Sequence, residues 1–147
     1  MIRTVMTMVV VAVGVTAVLA QGDPIVIRKD LMKENNQHHR TIRTMLKGGE
    51  FDAPKVNAAF NQWDDTARQL PKLFPDNSKT DPEGRALPAI WENRKDFDAK
   101  IAAFAKAVSA GKGKIKSAAD LKPAFAAVDA SCDGCHERYR GPSRRKK

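Results

Sequence analysis

Aromatic side chains and cysteines are scarce in this sequence, and each scarcity excludes a class of fold. Aromatic residues make up 6% of the 147 residues, and few β-branched residues follow the first twenty positions, which argues against a β-sandwich or β-barrel. The two cysteines, Cys132 and Cys135, are too few for the disulfide framework of a small secreted scaffold. Apolar residues at 42% and charged residues at 29% are ordinary for one globular domain and exclude disorder.

The N-terminal twenty residues have the pattern of a secretory signal peptide. Arg3 supplies the positive charge, and Val5 to Leu19 is an uncharged run of fifteen residues, shorter than the ~20 that a membrane span needs. Small residues give a cleavage site after Ala20. We therefore predict an exported, soluble protein of the periplasm, with one domain at residues 21–140 and a basic, disordered tail at residues 141–147. An uncleaved N-terminal anchor is the alternative.

Apolar residues recur at spacings of three and four in four segments, which predicts four amphipathic helices. We expect the first three at about residues 24–46, 53–70 and 89–110. The fourth ends near Arg140, and its N-cap is Ser117 or Asp120. Asp120 is the better choice, because Pro123 then falls in the first turn, where its missing N–H is not needed. No strand pattern competes, so the predicted fold class is all-α, an up-down-up-down four-helix bundle.

The strongest chemical motif is C-x-x-C-H at residues 132–136. This pattern is typical of covalent haem c attachment, because two thiols can add to the two haem vinyl groups while the next residue holds an imidazole under the iron. Helical spacing puts Cys132, Cys135 and His136 on neighbouring turns of one face. We therefore predict one covalently attached haem c with its iron.

Three other interpretations of the two cysteines compete with haem. A disulfide within one helix would constrain no loop, and a thioredoxin-like redox pair would follow a strand, of which the sequence has no sign. A zinc site needs two further ligands, for which only His38 and His39 are available beside His136. A haem-free exported bundle that binds a metal or reacts through its thiols therefore stays as the weaker alternative.

With this motif on the last helix of an exported bundle, the sequence resembles the cytochrome c′ family. It is most similar to the low-spin, Met-ligated branch called cytochrome c-556. The resemblance covers essentially the whole chain after the signal peptide, and it implies a mono-haem four-helix bundle. Residues 77–87 and 141–147 have no counterpart that we can place. The segments that carry the resemblance are LMKEN at residues 31–35, LPKLFPD at residues 70–76, Ile90-Trp91, residues 104–116 and residues 132–140.

The residue on the other side of the iron decides the function. In an up-down bundle the fourth helix is antiparallel to the first, so Met32 lies at about the height of His136, whereas Met45 is ~20 Å further along. His38 and His39 lie ~9–10 Å past Met32, and one of them would ligate only if the haem sat deeper in the bundle. Otherwise they are partly exposed histidines beside a polar groove. The resemblance implies that Met32 ligates the iron in the low-spin branch and blocks its open side in the five-coordinate branch.

The resemblance also implies roles for two arginines. Arg28, one turn before Met32, is at the position of a family residue near a haem propionate; its alternative role is a solvated charge at the helix end. Arg140, one turn after His136, is at the position of a basic residue that lies close to the ligand imidazole in the five-coordinate branch. It would equally complement the C-terminus of the helix.

These observations predict a mono-haem electron carrier, not an enzyme, in which His136 and Met32 ligate the iron. The alternative is a five-coordinate cytochrome c′ that binds NO or CO on the Met32 side. Without the signal peptide, which contains Arg3, the formal charge of +9 becomes +8; this charge favours brief docking to redox partner proteins with an acidic surface, and nucleic acid is a poor partner for an exported protein. No later segment of the sequence could span a membrane. Monomer and homodimer both stay open.

Overall fold

The computed structural model describes residues 22–79 and 84–142, and four long helices dominate this part of the chain. Two single 3₁₀ turns follow the second helix, at Leu70–Lys72 and Asp76–Ser78, and a one-turn helix precedes the third long one. The predicted up-down-up-down four-helix bundle is confirmed. The predicted signal peptide and the last five residues of the tail lie outside the described residues. The helices are α1 (Pro24–Leu46), α2 (Ala53–Gln69), the short α3 (Ala89–Glu92), α4 (Arg94–Gly111) and α5 (Ala118–Tyr139).

Local signals determine the ends of the first two helices. The Asp23 carboxylate caps α1 by accepting the Ile25 N–H at 2.8 Å, and Pro24 occupies the first position, which needs no N–H partner. The chain leaves α1 through Gly48, whose φ of 105° is a left-handed conformation that favours glycine. Asp52 then caps α2 by accepting the Lys55 N–H at 3.0 Å. These two helices therefore occupy the predicted ranges.

The predicted third helix is interrupted, and the prediction of one continuous helix over residues 89–110 is wrong. Asn93 leaves the helical conformation (φ −122°, ψ 46°) between α3 and α4. The break lets two side chains reach the carbonyls of the segment that follows α2. The Trp91 Nε1–H donates to Phe74 O at 3.1 Å, and the Arg94 guanidinium donates to Pro71 O at 2.7 Å. These side-chain bonds tie the residues beside the break to the segment that follows α2.

The preferred N-cap of the last helix is also corrected. Ser117, not Asp120, caps α5: its Oγ accepts the Asp120 N–H at 3.3 Å. The Asp120 carboxylate in turn accepts the Lys116 N–H at 3.0 Å and the Ser117 hydroxyl at 2.9 Å. This reciprocal capping box satisfies two exposed donors at once, which a lone Asp120 cap would not. Pro123 therefore lies inside the helix, where its ring removes one helical hydrogen bond.

The buried apolar side chains form two clusters at different heights in the bundle. What we call the first cluster joins the end of α1 to the start of α5. What we call the second cluster lies where α1 begins and α5 ends, the end of the bundle that carries the C-x-x-C-H motif. The first contains Ile42, Val56, Ala59, Phe60, Trp63, Ala67, Phe104, Val108, Ile115, Leu121, Phe125 and Val128. The second contains Leu31, Leu70, Leu73, Phe74, Ile90, Phe97, Ile101 and Tyr139.

Tyr139 joins the last turn of α5 to α4 inside the second cluster. Its ring is 3% exposed and packs edge-to-face on Phe97 with centroids 5.1 Å apart. Its hydroxyl donates to Asp96 Oδ2 at 2.5 Å. Burial and this hydrogen bond raise the pKa of Tyr139 from about 10 to about 12, and the same bond lowers the pKa of Asp96. The neutral phenol is therefore the form that the fold favours.

We expect Tyr139→Phe to lower the free energy of unfolding at pH 7 by about 1 kcal/mol, because it removes one hydrogen bond and keeps the ring. Since the pKa of the phenol is raised on folding, its contribution is complete below about pH 10 and is lost as the pH rises through 12. Denaturant titrations of both proteins at pH 7 and pH 11 measure this difference, which should shrink at pH 11. An equal difference at both values would contradict the prediction.

None of the helices in the described ranges is long and apolar enough to cross a membrane.

Candidate functional site

The two cysteines of the motif lie where the two clusters meet. Both are free thiols and both are half-buried on α5. Cys132 packs against the first cluster, and Cys135, one turn later, packs against the second. The helix therefore presents two thiols, one turn apart, along the junction between the two clusters.

Burial favours the neutral forms of the titratable groups of the motif. It raises the pKa of the Cys132 thiol to about 12 and also raises that of Cys135. A thioredoxin-like redox pair needs a lowered thiol pKa, so this environment disfavours that interpretation. Burial first, and then the positive charges of Arg140 and Arg85, lower the pKa of His136 to about 4. At neutral pH the imidazole therefore has a free lone pair, which a metal ligand requires.

A short antiparallel pairing holds the end of α5 against the segment before α3. The Leu87 N–H donates to Tyr139 O at 3.1 Å, and the Gly141 N–H donates to Arg85 O at 2.7 Å. The Arg85 Nε–H returns a bond to Gly141 O at 2.9 Å. We call residues 85–87 and 139–141 the clasp. The predicted disorder of the tail is wrong for Gly141, which is buried and has both of its backbone polar groups paired.

A cleft of about 410 Å³ lies beside the clasp and reaches the histidine of the motif. Of the residues that line the cleft, the sequence pointed to Arg140 beside His136 but not to Arg85. No sequence signal could have found Arg85, because it lies in a loop without periodicity and the family resemblance does not extend to it. The cleft is lined by Arg85, Asp133, His136, Glu137, Arg140, Gly141 and Pro142.

One contact between α1 and α5 sets the heights of their residues relative to each other. His39 Nε2 lies 2.6 Å from Asp129 Oδ1, so these two positions face each other across the antiparallel helices. Met32 is seven residues before His39, and His136 is seven residues after Asp129. Because both helices rise 1.5 Å per residue, Met32 and His136 lie at the same height. Met32 also packs against the second cluster, as Cys135 does.

The other candidate ligands on α1 lie further from the motif. His39 is bound to Asp129, and its ring packs on Phe125 with centroids 5.0 Å apart. Met45 packs against the first cluster, near the opposite end of the bundle. No group of three or more His, Cys, Asp or Glu side chains converges as metal ligands would in residues 22–79 and 84–142.

Arg28 is buried and is not a solvated charge, so that alternative is wrong. Only 7% of Arg28 is exposed. Its Nη1 donates to Leu73 O and to Ser78 Oγ, both at 3.0 Å, and its guanidinium lies 4.6 Å from the centre of the Phe74 ring. These contacts tie the start of α1 to the segment after α2. The propionate role of Arg28 stays a prediction.

The residues brought together fit a covalently attached haem. Two free thiols one turn apart and an adjacent neutral imidazole are the groups that haem c attachment requires, and the thioether at the same height on α1 belongs to the class of soft groups that iron accepts. The two helices that carry these groups also meet only sparsely, whereas α4 and α5 pack along most of their length. A flat cofactor between α1 and α5 is consistent with that difference.

A C-x-x-C-H motif at the end of the last helix of an antiparallel four-helix bundle defines a class of protein, the helical-bundle c-type cytochromes. The chain belongs to the cytochrome c′ family, whose model, described as Cytochrome C', matches residues 23–140. Members of this family carry covalently bound haem c with iron, so the predicted cofactor is confirmed and the haem-free alternative is excluded. The protein is thus a haem c protein of a family that carries electrons or binds gas.

Two relatives from Rhodopseudomonas palustris (strain ATCC BAA-98 / CGA009) illustrate the similarity. The chain is 40% identical to a cytochrome c-556 over 145 residues, which cover 95% of this chain and 97% of the relative. It is 37% identical to a cytochrome c′ over 131 residues, which cover 88% of this chain and 90% of the relative. The solved structure of cytochrome c′ from Rhodopseudomonas palustris superimposes with a TM-score of 0.78 at 37% identity, covering 84% of this chain and all of that one. A structural model of oxidized cytochrome c556 from the same organism superimposes with a TM-score of 0.76 at 40% identity, again covering 84% of this chain and all of that one.

Proposed function

We propose that this protein is an exported mono-haem electron carrier. The haem is attached through Cys132 and Cys135, and its iron is ligated by His136 and Met32. The observation that carries the proposal is the register of α1 and α5, because the His39–Asp129 contact puts Met32 at the height of His136. The bound iron would supply a one-electron couple. The chain would supply the thiols that attach the haem and the side chains that ligate its iron.

The side chains around the site have roles that suit electron transfer. The neutral His136 offers its lone pair at physiological pH, and the second cluster supplies buried apolar side chains at that end of the bundle. A thioether opposite an imidazole raises the reduction potential relative to two imidazoles. If His136 and Met32 both held the iron, it would have no position left for a substrate, and this is why we propose a carrier and not an enzyme.

A five-coordinate gas binder is the second candidate. The similarity to a cytochrome c′ at 37% identity, close to the 40% for cytochrome c-556, favours this candidate. In it, Met32 would block the open side of the iron without bonding to it, and NO or CO would enter there.

We propose that the protein works in the periplasm and docks briefly on an acidic redox partner. The sequence pattern of residues 1–20 supports export. The formal charge of +8 that is left without the signal peptide and the two arginines on the cleft, Arg85 and Arg140, support an acidic docking surface on the partner. Arg138, whose guanidinium lies 3.5 Å from Asp96, stands at the same end of the bundle.

Optical spectra of the ferric and ferrous protein, with and without CO, distinguish the two candidates. The electron carrier should be low-spin in the ferric state and show a weak charge-transfer band from the thioether to the iron. Its ferrous form should bind CO slowly or not at all, because Met32 must first leave. A high-spin ferric spectrum with rapid CO binding by the unmutated protein would instead establish the gas binder.

A further inference from the structure

His39 and Asp129 form a polar link between α1 and α5 that the proposed haem chemistry does not use. His39 Nε2 and Asp129 Oδ1 approach to 2.6 Å, and the two side chains are 23% and 40% exposed. The imidazole also lies against the Phe125 ring, with centroids 5.0 Å apart and planes inclined at 47°. A carboxylate therefore holds one ring nitrogen while an aromatic side chain packs on the ring. This ordered contact joins two helices that otherwise meet sparsely.

The link lies on the same stripes of the two helices as the proposed iron ligands. His39 follows Met32 by seven residues, and Asp129 precedes His136 by seven. Seven residues make nearly two turns, so each pair is displaced by only ~20° around its helix and about 10 Å along it. The link therefore stands two turns below the proposed ligand pair, with one of its residues on each ligand-bearing helix.

α1 is also anchored on the other side of Met32. One turn before Met32, Arg28 is bound to Leu73 O and to Ser78 Oγ. Met32 thus lies between two anchored points of one rigid helix. The part of α1 between Arg28 and His39 is short enough to move as a rigid unit. Breaking the Arg28 bonds or the His39–Asp129 link should therefore change how closely Met32 approaches α5.

We propose that His39 and Asp129 are positioning residues for Met32. Their hydrogen bond fixes the separation of α1 and α5 below the haem and so holds the thioether against the far side of the iron. This inference rests on the function proposed above. Both residues act through the helices, since they lie about 10 Å from the ligand positions.

Two single variants break the link in different ways. His39→Phe keeps an aromatic ring against Phe125 but cannot bond to Asp129. Asp129→Ala removes the carboxylate at a half-exposed helical position that suits alanine. We expect each holoprotein, once reduced, to bind CO about fivefold faster than the unmutated protein, which corresponds to about 1 kcal/mol of barrier. Because both remove the same bond, the double variant should bind CO no faster than the faster single variant.

A rescue variant and two control variants separate positioning from general loss of stability. His39→Lys should bring CO binding back toward the unmutated rate, because its ammonium can bond to the same carboxylate. Asp64→Ala breaks the 2.5 Å link from Asp64 Oδ2 to Lys112 Nζ, which joins α2 to the chain after α4. It should lower the melting temperature and leave CO binding unchanged. His38→Ala, which alters the neighbouring position on α1, should also leave CO binding unchanged.

The comparison of variants with the unmutated protein tests the link, and the spectrum of the unmutated protein tests the proposed function. If that protein is five-coordinate, Met32 still blocks the iron, and loosening α1 should still speed CO binding. The positioning role is therefore measured in either case. Unchanged CO rates in both His39→Phe and Asp129→Ala would overturn the proposal. So would an equal acceleration in Asp64→Ala.

Discussion

Replacing both Cys132 and Cys135 by alanine should abolish covalent haem and leave a destabilised chain. The two thiols are the groups that would form the thioether bonds, and a haem attached there would pack against both clusters and stabilise the folded chain. Extraction with acidified acetone measures covalent attachment, and thermal unfolding followed by circular dichroism measures stability. We expect all haem to be extracted and the melting temperature to fall by more than ten degrees, about the effect of 2 kcal/mol or more.

A hydroxyl on the same helix provides the matched control. Ser131 precedes Cys132, and its Oγ donates to Val128 O at 2.7 Å, so Ser131→Ala changes α5 locally without touching a thiol. This variant should retain covalent haem after extraction. Haem that resists extraction in the double cysteine variant would show that the attachment residues are wrong.

With Met32 as the proposed iron ligand, we expect Met32→Ala to convert a low-spin, CO-resistant protein into a high-spin form that binds CO rapidly. Without the thioether the iron has an open side, so CO binding should accelerate at least tenfold, a factor that needs only about 1.4 kcal/mol of barrier. The reduction potential should fall, because the soft ligand that favours the ferrous state is gone. Optical spectroscopy, stopped-flow CO binding and a redox titration measure the three effects.

A substitution of the other methionine of the helical domain serves as the control. Met45 packs against the first cluster, thirteen residues further along α1, and Met45→Leu should leave spin state, CO binding and potential unchanged. If Met32→Ala and the unmutated protein had the same high-spin spectrum, Met32 would be only a wall of the pocket. A spectral change in His38→Ala alone would instead point to a histidine as the sixth ligand.

Where helix ends depend on neighbouring residues, the sequence predicts the fold well. Asp23-Pro24 and the glycines after Leu46 mark both ends of α1, because a cap and a left-handed residue act within one turn. The break at Asn93 escaped prediction because apolar spacing continues in phase across it: Ile90 and Phe97 are seven residues apart and both are buried. On either side of the break, Trp91 and Arg94 donate side-chain hydrogen bonds to a distant segment, and apolar periodicity carries no information about such partners.

The candidate site also has features that the local sequence predicts and features that depend on distant residues. The motif of residues 132–136 is contiguous, so its presence on the last helix follows from the sequence alone. The height of Met32 relative to His136 follows from antiparallel topology and helical rise. The pairing of Arg85 with Gly141 joins a loop to the end of the chain, and the burial of Arg28 depends on Ser78. Such long-range partners leave no local pattern, so the contacts of both arginines became evident only in the structure.

The clasp has a consequence for the order in which the protein folds. Its Arg85–Gly141 bond joins residues 56 positions apart, and it can form only after α3, α4 and α5 have docked. Contacts of such high sequence separation carry a large loop-closure entropy and form late, after the local α1–α2 hairpin. Damage to the clasp should therefore speed unfolding and barely slow folding. The clasp beside His136 should thus assemble after the α1–α2 hairpin and come apart early in unfolding.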